Sequence, residues 1–107
     1  MKATYSELSG SRQQLIRLMQ WLNFGKIEGL KVKNGEPDWT VTPRFTRIAK
    51  MDGEGLPRNE MDMKDFFLKD CHTALFDYLD YVEDGIVTWV DVKHGLPFSC
   101  CFEDHLR

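Results

Sequence analysis

Val32-Lys33-Asn34-Gly35-Glu36-Pro37 and Val92-Lys93-His94-Gly95-Leu96-Pro97 are one hairpin turn written twice. Asn-Gly is a strong short hairpin signal, because both central residues of a type I′ turn need positive φ and these two adopt it cheaply. His94 stands where Asn34 stands, and histidine is also enriched in the left-handed region. Asn34, Gly35, His94 and Gly95 are therefore read as structural turn residues. Each turn follows a similar helix end: Leu18-Met19-Gln20-Trp21-Leu22-Asn23-Phe24 runs parallel to Leu75-Phe76-Asp77-Tyr78-Leu79-Asp80-Tyr81 in apolar, polar and aromatic order. The turns lie 60 positions apart and these helix segments 57, so the alignment expects a three-residue insertion between helix and strand in the second copy.

From these turns outward, the pattern predicts an α+β fold of two helix-strand-strand repeats, α-β-β-α-β-β, with a four- to five-stranded antiparallel sheet and both helices on one face. A ferredoxin-like order would need a strand before each helix. A chain of 107 residues with 42% hydrophobic and 29% charged residues is one globular domain with a core of its own. Its expected parts are an N-terminal tail (1–10), a first unit (11–51), a linker loop (52–61) and a second unit (62–104).

Ser11 followed by Gln14 resembles a capping box, and Leu15, Leu18, Met19 and Leu22 recur at helical spacing, which places the first helix over Arg12 to Asn23. Ile27, Leu30 and Val32 form a strand interrupted by Gly29. Pro37 and Pro43 each remove a ladder donor, so the better return strand is expected at Arg44 to Met51. Asp62 is the expected cap of a long second helix reaching Glu83, with Met63, Phe67, Cys71, Ala74, Leu75, Tyr78, Leu79 and Val82 as one apolar stripe. Period-two reading of the closing hairpin turns Ile86, Val90 and Val92 toward the helices and Val87 and Trp89 outward, with Trp89 over the backbone bared by Gly29 if the two strands are neighbours and otherwise a half-exposed anchor on an open sheet face.

Residues 1–50 hold nine Lys/Arg against four Asp/Glu, whereas residues 51–107 hold five against thirteen. A basic unit and an acidic unit attract each other or a neighbouring subunit. Asp80, Glu83 and Asp84 close a helix whose C-terminal dipole opposes them, so solvation or a basic partner surface accounts for them better than helix stability.

Catalytic and metal chemistry finds little support in the sequence. Cys71, His72, His94, Cys100, Cys101 and His105 lack the paired spacing of metal sites, and Gly53-Glu54-Gly55 lacks the third glycine of a phosphate loop. No metal and no cofactor is expected. His72 is read as a solvent-side helix residue. Three cysteines, two of them adjacent, suit reduced buried thiols rather than a disulfide framework. No apolar run is long enough to span a bilayer and the first residues do not resemble a signal peptide, so a cytoplasmic protein without membrane contact is expected.

The leading expectation is a non-enzymatic protein-interaction or assembly module, a homodimer or one with a protein partner. Trp89 and Val87 on the open sheet face, and Phe66 and Phe76 among the acids of the second helix, are its interface candidates. The alternative is single-stranded nucleic-acid binding by the first hairpin, where Lys26, Lys31, Lys33, Arg44 and Arg47 surround Trp39. A third possibility is a small-ligand or enzymatic pocket between helices and sheet.

Overall fold

The computed structural model describes residues 3–53 and 63–104. Two helices, α1 (Gly10–Leu22) and α2 (Asp70–Val82), pack with an antiparallel sheet made of β1 (Gly25–Lys33), β2 (Glu36–Pro37), β3 (Arg44–Arg47), β4 (Gly85–Lys93) and β5 (Leu96–Phe102). The strand order is β2-β1-β4-β5, and β3 pairs with β1 beyond the end of β2. The fold is thus α+β, and the two long central strands lie side by side.

Both helices span 13 residues and both central strands 9, and each pair starts 60 positions apart. The expected three-residue insertion is absent, and Leu15, Ile16 and Met19 stand opposite Leu75, Phe76 and Leu79 in sequence. These six join Leu22, Ile27, Leu30, Val32, Val87, Val90 and Val92 in one buried cluster. Each such aliphatic side chain removed from water stabilises the fold by roughly 1.5–3 kcal/mol before entropy is counted.

The chain turns tightly after each helix. Asn23 and Glu83 both take φ 60, and the amide of each donates to the carbonyl four residues back. Each corner then holds the opposite hairpin: the Gly35 amide donates to the Glu83 carbonyl and the Gly95 amide to the Asn23 carbonyl, both at 2.8 Å. Asn34, Gly35, His94 and Gly95 all have positive φ, as the turn sequences require. Position 35 favours glycine, because its φ is +76 and an added Cβ would crowd Asp80, 2.6 Å from Oδ1 and 3.3 Å from Cα.

Several expected boundaries move. The cap of α1 is Ser9, whose hydroxyl accepts from the Arg12 amide, while Ser11 reaches Glu36 instead. The supposed tail is partly structured: a 3-10 turn at Tyr5–Glu7 follows Thr4, and backbone bonds join Ala3 and Tyr5 to Leu68 and Phe66. Because residues 66–68 are committed to that pairing, α2 starts at Asp70 rather than near Asp62, and Met63 and Phe67 are not helical. The Asp62 cap, residues 54–61 of the linker and His105 lie outside the described residues.

Removing Met63 and Phe67 from the helix rotates its buried stripe. His72, Leu75, Phe76 and Leu79 face inward, whereas Tyr78 is 51% exposed. His72 is thus a buried residue, not a solvent-side one, and its Nδ1 accepts from the Lys69 amide to close the helix start. The β4 assignment also reverses at its beginning: Val87 is buried and Ile86 exposed. The β4–β5 register shifts between Val87 and Trp89, so a strict period of two fails there and Val87 shares the inner side with Val90. Trp89 pairs with Glu28, and nothing lies within 4 Å of the Cβ position of Gly29, so the indole does not cover that glycine.

The expected return strand is divided and shorter. β2 covers two residues, and β3 ends at Arg47. Between them Trp39 folds inward, its Nε1 donating to the Ser11 carbonyl at 3.0 Å.

Candidate functional site

The outer surface of α2, β4 and β5 carries several exposed large apolar side chains. Tyr78 and Tyr81 leave α2 one turn apart and flank the ring of Phe102 on β5, with centroid separations of 5.8 and 5.9 Å. This aromatic row borders a groove of about 540 Å³ at the β4 start, lined by Tyr81, Asp84, Ile86, Phe102, Glu103 and Asp104 among others. Ile86 is 61% exposed at its floor. On the other side of Tyr78, a cavity of about 100 Å³ opens between α2 and β5, lined chiefly by Cys71, Leu75, Tyr78, Pro97, Phe98 and Cys100.

Polar contacts give the groove a defined acidic rim. The Tyr81 hydroxyl donates to Asp104 at 2.7 Å, and Asp84 accepts the Asn34 amide at 3.0 Å. Both cavity thiols are pushed above the ordinary cysteine range, chiefly by burial, so Cys71 and Cys100 remain neutral at neutral pH. All three cysteines are free thiols.

The interface candidates separate. Val87 and Phe76 belong to the core, the latter with the Arg12 guanidinium 4.9 Å above its ring. Phe66 stacks on Tyr5 at 5.1 Å beneath the Arg17 guanidinium, fastening the N-terminal segment rather than standing among the acids of a helix. Trp89 alone of the four stays on the outer sheet surface, half-buried, with the Lys26 ammonium 5.0 Å from its ring.

The cations of the first hairpin are partly committed within the chain. Lys26 faces Asp91 at 3.8 Å and Lys31 faces Asp38 at 3.7 Å. Arg47 lies over Trp21 and donates to its carbonyl, while Lys33 and Arg44 are exposed. Trp39 is taken up by α1, whereas Phe45 among these cations is exposed.

Charge asymmetry between the halves is used across their boundary. Arg12 holds Asp80 at 2.6 Å and Glu36 at 3.2 Å, and it also donates to the Gly35 carbonyl. Of the acids at the end of α2, Asp80 thus meets a basic partner inside the same chain. The sequence reading missed Arg12 and the Tyr78, Tyr81, Phe98, Phe102 and Ile86 surface; the i, i+3 tyrosines beside acids were its one available signal.

Among the described residues no group of three or more His, Cys, Asp or Glu side chains is placed to hold a metal ion. None of their helices is long and apolar enough to cross a membrane. No family model matches the chain, and neither the curated proteins nor the solved structures provide a match.

Proposed function

We propose that this chain is a non-enzymatic protein-interaction module, made from one helix-strand-strand unit used twice with both helices on one sheet face. The duplication is supported by the constant interval of 60 residues and by the reciprocal bonds between Gly35 and Glu83 and between Gly95 and Asn23. The β1–β4 register agrees with it, since the pairs Gly25–Val92 and Val32–Gly85 exchange under that interval. The docking face is the acidic aromatic groove of the second half, and its partner is a polypeptide segment that mixes lysine or arginine with apolar residues.

One observation carries the functional reading: Ile86, Tyr81 and Phe102 share a groove with Asp84, Glu103 and Asp104, combining apolar area with one sign of charge. A peptide array of mixed basic and apolar sequences tests it. Selected peptides should bind the full chain in a salt-sensitive way, and Ile86→Glu should reduce affinity at least tenfold without lowering the unfolding midpoint. Absence of concentration-dependent binding, or equal binding by that variant, would overturn the reading.

A homodimer through the outer sheet face is the second reading. It is favoured by the alternation of Lys26 and Asp91 beside the half-buried Trp89, which lets the same surface pair with itself. Sedimentation should then give a dimer that Trp89→Ala converts to monomer; a monomer at all protein concentrations removes this second reading.

A further inference from the structure

Trp39 indicates what the cavity between α2 and β5 is built to hold. In the first half this indole packs against the core and its N–H reaches the Ser11 carbonyl in the first turn of α1. Sixty positions on, Ser99 turns instead toward Asp91, its hydroxyl donating to Oδ2 at 3.0 Å. Cys100 takes the inward place and packs against the same core. A register shift between Asp91 and Val92 moves that place by one residue. A thiol is much smaller than an indole, and the space left beside it is the cavity of about 100 Å³ bounded by Cys71, Leu75, Tyr78, Pro97, Phe98 and Cys100.

We propose that this cavity receives the indole of a tryptophan carried by the basic partner segment, an inference that rests on the docking role assigned to the neighbouring groove. The lining suits the occupant: two aromatic rings and two sulfurs make favourable contacts with an indole, and the position of Cys71 matches that of Ser11, whose carbonyl accepts from Trp39. Tyr78 borders the cavity and packs against Phe102 of the groove, so the two sites adjoin across that ring pair. A segment held through its cations by Asp84, Glu103 and Asp104 can therefore seat an aromatic anchor beside Tyr78. Buried tryptophans surrounded by a polar rim commonly dominate such interfaces.

The test uses the full chain labelled with nitrogen-15, titrated with N-acetyltryptophanamide and with two lysine-rich pentapeptides that differ only in a central tryptophan or alanine. The tryptophan peptide should bind at least tenfold more tightly and shift the amides of Leu75, Ser99 and Cys100. Cys100→Trp, which fills the cavity from within, should abolish that preference. Ala74→Phe, at the exposed helix side of the cavity, should do the same and serves if the first variant does not fold. Equal affinity of the peptides, with shifts confined to Ile86, Glu103 and Asp104, would overturn the tryptophan seat and leave the docking groove standing. Shifts at Leu75 and Cys100 with N-acetyltryptophanamide, but no binding of either peptide, would keep the indole seat and overturn the basic partner. No shift at those residues with any probe overturns the inference.

Discussion

The beginnings of the two central strands occupy corresponding places and have different cover. Around Gly25, β3 pairs with β1, the Ile48 amide donates to the Phe24 carbonyl, and Asn23, Phe24 and Gly25 are buried. At the corresponding positions Glu83, Asp84 and Gly85 are exposed, and the groove lies beside them. Both halves turn apolar side chains into one shared core, whereas their outer surfaces differ. A fold can keep a common core and still differ at its edges, because burial fixes only the side chains that face it.

The sharpest way to break this comparison lies in the core. Leu15 is fully surrounded, whereas Leu75 also borders the cavity beneath Cys100. Leu15→Ala should cost about 3–5 kcal/mol and Leu75→Ala about 2–3 kcal/mol, since the second site already lacks neighbours on one side. Chemical denaturation measures both; equal losses would mean that the cavity is closed in solution.

A smaller effect is expected at the strand starts. A Cβ at Gly25 would lie 2.0 Å from the Thr46 carbonyl oxygen, so Gly25→Ala must displace β3 or the backbone of β1 and should cost about 2–3 kcal/mol. The same change at Gly85 meets only a Val82 methyl at 3.5 Å and should alter stability by less than about 0.5 kcal/mol. Amide exchange at Thr46 and Arg47 should accelerate only in the first variant. Equal behaviour of the two variants would remove β3 as the source of the asymmetry.

The smallest effect concerns pH and the N-terminal segment, which is tied to the residues just before α2. Hydrogen bonds from the Ser6 amide and hydroxyl hold Asp65 below the usual carboxylate range, with further help from the Phe66 amide. A depressed folded-state pKa contributes stability that is present above the unfolded value of about 3.9 and lost as pH falls through the folded one. Acidification below about pH 4 should therefore loosen residues 3–8 before the core melts. The Ser6 amide resonance follows this directly, and Asp65→Asn should remove the transition.

Much of this architecture is legible along the chain, and the failures have physical causes. Asn34-Gly35 and His94-Gly95 declare their turns because positive φ is a local cost that few residues bear. Leu15, Met19 and Leu22 likewise declare the inner side of α1 through spacing alone. The phase of α2 was misread because Met63 and Phe67 continue its periodicity without belonging to it; only pairing with residues 3–5 withdraws them from the helix. Val87 and Ile86 exchanged sides because a strand irregularity depends on the partner strand, which lies elsewhere in sequence.

The candidate site was less legible still. Tyr78 belongs to an apolar stripe along the chain yet stands exposed in the fold, and the cavity beside it is closed by Cys71 on α2 together with Pro97, Phe98 and Cys100 on β5. Sequence by itself determined the local events: two turns, two helices and the apolar positions that any compact solution must hide. Tertiary structure alone decided which edge of the sheet is covered, which carboxylates meet Arg12 and where aromatic surface remains open. Those outcomes depend on contacts between distant segments, whose energies no local spacing encodes.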